Sequence, residues 1–397
     1  LENISLLTGN CLDVLKTIPD ASVQCCVTSP PYYGLRDYGT AKWEGGSSEC
    51  DHKGKPMATH AGFNERYFGK PSIVDKQGEC LEFYKDVCGK CGAKRVDDQI
   101  GLEQTPDEYV AKLVQVFQEV KRVLKGDGTL WLNLGDSYAG SGKGDNPNGK
   151  QGTNVGTRFD SPTSGFVPGG CKVKDLIGIP WMVAFALRAD GWYLRSDIIW
   201  AKPNPMPESV KDRPTKSHEY IFLLTKSKKY YYDYEAVLEP ASGYDGRKDT
   251  KFKGSIKNYD GVMPGGKPQS FAQNGHERWQ YKKLETGRTG EKHSGYFNPD
   301  GSLRVQFVDG VPVRNKRDVW FVSTKPYREA HFATFPEDLI TPCILAGANV
   351  DDTVLDPFNG AGTTGVVCAK NGRKYIGIDN NPVYIELSYK RIEKVTT

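Results

Sequence analysis

No apolar run in these 397 residues approaches the roughly 18 needed to cross a bilayer, and no basic stretch followed by an apolar block opens the chain. We therefore expect no membrane association and a cytoplasmic setting. A dominant charge is lacking as well: 53 Lys and Arg face 49 Asp and Glu, a net +4, so any polyanionic partner must be met by local clusters. Ten cysteines in so long a chain do not suit a disulfide framework, and Cys25, Cys26 and Cys368 sit in strand-like apolar settings that favour buried thiols. Two glycine signatures are missing, the phosphate loop ending in Gly-Lys-Ser/Thr and the dinucleotide pattern with its pyrophosphate-facing helix. What is abundant is 44 Gly and 24 Pro, which imply long loops against an ordinary 38% hydrophobic and 26% charged background. The length exceeds one ordinary domain, and we expect a substantial core carrying one or two insertions.

The most informative stretch, Asp352-Thr-Val-Leu-Asp-Pro-Phe-Asn-Gly-Ala-Gly-Thr-Thr-Gly365, reads as a strand, a glycine turn and a helix start. The helix continues over Val366 to Lys370, Gly372 stops it, and Lys374 to Ile378 is a second strand ending at Asp379. Glycines at 360 and 362 let the backbone turn tightly against a ligand, and a carboxylate about 20 residues on can bind ribose hydroxyls. With the phosphate signatures absent, a nucleoside is the better ligand.

Two strands do not make an open sheet, so the rest must come from upstream: Ile4 to Leu7, Ser22 to Thr28, Thr129 to Leu134, Trp192 to Trp200 and Tyr220 to Thr225. Thr105-Pro-Asp-Glu108 is a capping box that opens a helix with an apolar face of Val110, Leu113, Val114, Phe117, Val120 and Leu124, and Gly126 as its stop. Further helices are expected over Pro180 to Ala189 and Pro382 to Glu393. The fold class is α/β, a doubly wound, mostly parallel sheet whose nucleoside-binding half is encoded last.

Ser29-Pro30-Pro31-Tyr32 follows an apolar strand, at the carboxyl end where open α/β sheets place their ligands. Two successive prolines fix the backbone and remove two N–H donors, leaving the carbonyls of the turn free to accept from an amine. The tetrapeptide combined with Asp356-Pro-Phe-Asn-Gly-Ala-Gly362 resembles the amino-methyltransferases of DNA, and the order, tetrapeptide first and glycine loop last, resembles their beta group. The resemblance covers most of the chain. It implies a circularly permuted, seven-stranded Rossmann-like sheet, S-adenosylmethionine as cofactor, double-stranded DNA as substrate and a restriction endonuclease as candidate partner, in a prokaryotic cell or a phage-infected host.

The resemblance also assigns roles. The cofactor is expected against Asp356, Pro357, Phe358, Gly360, Gly362, Thr363, Thr364, Asp379 and Asn380; Gly9-Asn10 matches an adenine-contacting turn, with Asn10 in place of the usual acid. Phe332, Thr334 and Phe335, within His331 to Pro336, resemble the segment packing on the methionine end. Tyr32 would stack on a flipped base while Ser29 and the Pro30 carbonyl accept from its amine, and Ser rather than Asp at position 29 marks N4 of cytosine over N6 of adenine. Methylation at carbon C5 would need a nucleophilic cysteine in a Pro-Cys motif, which is not expected here. Alternatives outside this reading are a DNA-binding protein without turnover, or methylation of RNA or a protein glutamine.

Three further regions carry expectations. Cys50-x-His52 and Cys88-x-x-Cys91-Gly, in a poorly hydrophobic insert, are spaced to hold a structural zinc ion, with Cys80 or His60 as substitute ligands. Lys202, Lys211, Arg213 and Lys216 add positive charge near the presumed cleft, and Asn204 and His218 lie in segments resembling those beside the target base. Ala139 to Gly170 resembles a loop that closes on DNA, and Ala241 to Lys316, mixing basic and aromatic residues without strong periodicity, is the expected target-recognition region. The domains are accordingly 1–40 with 101–240 (catalytic half), 41–100 (zinc-binding insert), 241–317 (target recognition) and 318–397 (cofactor half).

Overall fold

The computed structural model describes residues 3–34, 42–56, 81–83, 87–96, 99–140, 167–240, 306–308, 311–325 and 334–396. In chain order the elements are β1 (Ile4–Thr8), α1 (Cys11–Leu15), β2 (Val23–Thr28), β3 (Lys42–Glu44), β4 (Lys53–Pro56), β5 (Leu81–Phe83), β6 (Lys94–Val96), α2 (Pro106–Val123), β7 (Leu124–Leu134), α3 (Ile179–Ala189), β8 (Tyr193–Ala201) and β9 (His218–Thr225). They continue with β10 (Glu239–Pro240), β11 (Gln306–Val308), β12 (Val311–Arg314), β13 (Val319–Phe321), α4 (Glu337–Gly347), β14 (Thr353–Asp356), α5 (Thr363–Lys370), β15 (Lys374–Asp379) and α6 (Pro382–Thr396).

One sheet of eight strands organises the larger unit, in the order β1-β15-β14-β2-β7-β9-β8-β13, and β9 alone runs against the others. The expectation was seven strands; the eighth, β13, has only three residues, too few to show a period, and adds parallel to β8 at the edge. The nucleoside-binding half does come last in the chain, but it is completed by β1, which pairs with β15 from Ile4↔Tyr375 to Thr8↔Asp379.

Helices cover both faces. Neighbouring residues of a strand point to opposite sides, and Cys26 joins the core formed with α1, α2 and α3, whereas a Cβ on Gly347 of α4 would lie 2.5 Å from the Cys25 sulfur. Thr129 and Trp131 face Gly347 in the same way, while Leu130 and Leu132 face the other layer. The alternating sides of β2 and β7 are thus both buried, which is why these strands read as nearly continuous apolar runs.

Helix α2 begins as its sequence dictates, with Glu108 N–H donating to Thr105 Oγ1 (3.2 Å) and Thr105 N–H to Glu108 Oε2 (3.1 Å). Its buried face includes Tyr109 and Val116, while Val114 is only partly buried. Gly126 is not its stop. The chain turns extended at Leu124 and runs straight into β7, because that residue is already the first of the strand. After α5, by contrast, Gly372 takes the left-handed conformation (φ 69°) foreseen for it. Among the described residues no helix is long and apolar enough to cross a membrane.

A second, smaller unit spans Tyr234–Lys316. Its described part holds a 3-10 turn at Glu235–Val237 and a three-stranded antiparallel sheet, β10-β12-β11, with Arg314 paired to Glu239 at 2.9 Å. The Gln306–Arg314 hairpin lies in the stretch read above as patternless; its strands are too short to show alternation. Residues 241–305 of the expected recognition region, and 141–166 of the expected DNA-closing loop, lie outside the described residues.

Candidate active site

The two sequence motifs meet because their strands are neighbours. β2 and β14 pair in parallel at Val354↔Cys25 and Leu355↔Cys26, so the turns that follow them emerge from the same end of the sheet. A hydrogen bond from Thr28 Oγ1 to Asp356 Oδ1, 2.6 Å long and buried, ties the last residue before the tetrapeptide to the first of the glycine loop.

On the tetrapeptide side, the Tyr32 hydroxyl donates to Glu219 Oε2 (2.7 Å) and lies 3.1 Å from Asn133 Oδ1. Burial, then the adjacent Glu219 charge, push this phenol well above its ordinary value, so it stays protonated as a donor, with the Ser29 hydroxyl also beside it. Gly135 follows β7 against the ring, where a Cβ would sit 2.5 Å from Tyr32 Cε2. The turn carbonyls are not all free. Pro31 accepts from the Tyr109 hydroxyl at 2.9 Å, whereas the Pro30 carbonyl accepts no hydrogen bond among the described residues.

On the glycine-loop side, Asp356 accepts from Thr28, from Thr364 Oγ1 (2.7 Å) and from Phe358 N–H (3.1 Å), which commits both its oxygens to the loop itself. Asp379 accepts from Gly360 N–H and Asn381 N–H, each at 2.8 Å. Asn359, buried and unremarked in the sequence, spans the turn by donating to Gly360 O and Ser388 Oγ and accepting from the Tyr375 hydroxyl. Gly360 faces open space: a Cβ there would meet nothing closer than Phe358 O at 3.9 Å. Asn10 caps α1 by accepting from Leu12 N–H at 2.9 Å, and the backbone of Gly9 donates to Asp379 O, which places that turn beside Asp379. Thr363 accepts from Arg391, Pro357 is buried, Phe358 half-buried and Asn380 exposed. Thr334 and Phe335 precede α4, half-buried; Phe332 lies outside the described residues.

Burial, its largest cause, lifts the carboxyl groups of Asp356 and Asp379 to about 6 from 3.8. A raised acid keeps its proton in the folded chain to a higher pH than in the unfolded one, so its stabilising contribution is complete below about pH 4 and is lost as pH rises through about 6. Each group thus accounts for at most about 3 kcal/mol across that window. The unfolding midpoint of the Asp356→Asn variant in urea should fall less steeply between pH 4 and 7 than that of the parent chain; parallel profiles would contradict the assignment.

The proposed DNA-facing cations are largely engaged within the protein. Lys202 forms an ion pair with Glu219, Arg213 pairs with Glu208 at 2.7 Å and lies 3.8 Å over the Tyr138 ring, and Lys216 donates to Asp136 O. Burial draws the Lys216 ammonium below its ordinary value. Asn204 exchanges hydrogen bonds with Thr324, His218 meets Tyr220 edge-on at 5.3 Å, and Lys211 is exposed. Glu219, Asn133 and Gly135 were missed by sequence reading; each comes from a strand or strand end whose local pattern says nothing of Tyr32.

One Pro-Cys pair does occur, Pro342-Cys343, contrary to expectation. It lies inside α4, with Cys343 fully buried and its thiol donating to Leu339 O at 3.8 Å, so it presents no nucleophile at the sheet edge.

Comparison with known proteins agrees with this geometry. The DNA methylase profile of the N6/N4 methyltransferases matches residues 23–390. Type II methyltransferase M.Cfr9I of Citrobacter freundii is 39% identical over 395 residues, spanning 99% of this chain and 89% of that protein. M.SmaI of Serratia marcescens is 35% identical, over 99% and 91%. A solved structure, the PvuII DNA methyltransferase (cytosine-N4-specific), shares the fold with a TM-score of 0.50 at 16% identity, over 99% of this chain and 90% of that one. With its tetrapeptide and glycine loop tied together at one end of the sheet, the chain belongs to the N6/N4 DNA methylase family.

Proposed function

We propose that this DNA methyltransferase modifies the exocyclic N4 amine of a cytosine swung out of the duplex. The observation that carries the reading is the Thr28–Asp356 bond, which holds the Ser29–Tyr32 turn against the Asp356–Gly362 turn. S-adenosylmethionine supplies an electrophilic methyl group. Its nucleoside would be held against Gly360, where a Cβ would meet nothing closer than 3.9 Å, and beside Asp379, whose oxygens retain lone pairs after accepting two backbone N–H groups.

Tyr32 stacks on the flipped ring, its phenol held by Glu219 so that the ring has one fixed orientation. The Pro30 carbonyl and the Ser29 hydroxyl accept from the two amine hydrogens, which localises the nitrogen lone pair and aims it at the methyl group. The protonated product amine is acidic enough to lose its proton without a strong dedicated base. Asp356 is a positioning residue, since its oxygens are spent on Thr28, Thr364 and Phe358. Serine at position 29 supports cytosine over adenine.

Digestion of DNA treated with the chain and labelled S-adenosylmethionine should yield labelled N4-methylcytosine. N6-methyladenine alone would reverse the choice of base, and absence of label from DNA would remove the function.

A further inference from the structure

We propose that Cys50, His52, Cys88 and Cys91 hold a structural zinc ion, and that this ion serves as the core of the insert. The four ligand atoms lie within 4.8 Å of one another. The Cys50 and Cys88 sulfurs are 3.7 Å apart, and the Cys91 sulfur is 3.6 Å from His52 Nδ1. A tetrahedral ion with bonds of about 2.3 Å to sulfur and about 2.05 Å to nitrogen requires ligand separations of about 3.8 Å and about 3.5 Å. Both measured edges match. A disulfide, at about 2.05 Å, does not.

The surrounding chain is shaped for this cluster. β3 and β6 pair antiparallel from Lys42↔Val96 to Glu44↔Lys94, which brings the turn after one strand to the turn before the other. The second turn is closed by Cys88 N–H to Ala93 O (2.7 Å) and Gly92 N–H to Cys88 O (2.8 Å). A Cβ on Gly46, which has φ +70°, would lie 2.7 Å from the Cys91 sulfur. The His52 ring stacks on Trp43 with centroids 4.9 Å apart, fixing the imidazole plane. Among the described residues of the insert the buried apolar side chains are Cys88, Ala93 and Ile100, and Ile100 belongs to the main core where the chain rejoins it, which leaves far too little to hold the insert by hydrophobic burial. The substitute ligands Cys80 and His60 lie outside the described residues.

The insert leaves the core beyond Gly34 and rejoins it before Gly101, and these two residues are linked by Gly34 N–H to Gly101 O at 2.8 Å. A Cβ on Gly101 would be 3.1 Å from Tyr32 O and 3.4 Å from Pro31 O, so the stem lies directly on the tetrapeptide. Three thiolates and a neutral imidazole complete the tetrahedron and leave no open position, so the ion takes no part in methyl transfer.

Elemental analysis of the full chain, purified without added metal, should find one zinc per chain. The Cys88→Ser/Cys91→Ser variant should lose it, while Cys171→Ser, outside the cluster, should keep it. Should the double variant fail to fold, the parent chain loaded with Co(II) still decides: tetrahedral ligand-field bands with thiolate charge-transfer absorption are expected, and an octahedral spectrum would refute the site. So would a parent chain without zinc, or a double variant that retains it. These readouts are independent of methyl transfer, so they stand apart from the choice of base.

Discussion

The Tyr32→Ala variant should methylate DNA about 100-fold more slowly in single turnover, while its affinity for S-adenosylmethionine is unchanged. The aromatic ring is the proposed platform for the everted base, and base–aromatic stacking is worth roughly 1–3 kcal/mol, with further loss from a misplaced amine. Tyr32→Phe separates the ring from its hydroxyl. It keeps the platform and gives up the bond to Glu219, leaving Glu219 paired with Lys202 and in reach of Asn133 Nδ2. Its rate should stay within about tenfold of the parent, because the lost bond, although to a carboxylate and so worth roughly 1.5–3 kcal/mol, is made away from the base and the stacking face is kept. A phenylalanine variant as slow as the alanine one would shift the role from the ring to the phenol. An alanine variant at parental speed would end the stacking hypothesis.

The second large effect is expected at Gly362. This residue adopts φ +75°, which costs an L-residue roughly 1–2 kcal/mol. A Cβ there would lie 2.6 Å from Ser388 Oγ, 2.7 Å from Ser388 Cβ and 3.1 Å from Ser388 Cα. The last contact is with α6 backbone, so rotating the serine cannot relieve it, and overpacking adds about 1–3 kcal/mol. Gly362→Ala should therefore lose about 2–5 kcal/mol of stability by urea unfolding, and with it the shape of the glycine loop and the binding of S-adenosylmethionine by calorimetry. Ser388→Gly in the same chain should restore only part of the stability, because the backbone contact and the left-handed strain remain and Asn359 loses a partner. Unaltered stability in Gly362→Ala would show that α6 yields more easily than its packing implies.

Much of this organisation was legible in the sequence because its signals are local. The capping box at Thr105, the glycine turn after Asp356 and the apolar stretches of β2, β7 and β14 each state their conformation within a few residues. The adjacency of β2 and β14 came instead from resemblance; no local pattern encodes which strands become neighbours. The partners of Tyr32 were illegible for the same reason, since Asn133 and Glu219 lie about a hundred and two hundred positions away and are brought together only by the β7–β9 pairing. Lys202 and Lys216 show a different limit. A lysine looks alike in sequence whether it awaits a phosphate or neutralises a carboxylate, and the fold assigns Lys202 to Glu219. The edge strand β13 and the Gln306–Arg314 hairpin escaped because three or four residues are too few to display a repeat.

The pairing of β1 with β15 also has a cost during synthesis. The ribosome delivers Ile4 to Thr8 long before their partners Tyr375 to Asp379, so the earlier ribbon waits with an unpaired edge while the intervening elements of the sheet are made. A nascent polypeptide therefore cannot close its donor-binding half until Tyr375 to Asp379 have emerged, and chaperones that shield bare edges would have their greatest effect on yield during that interval.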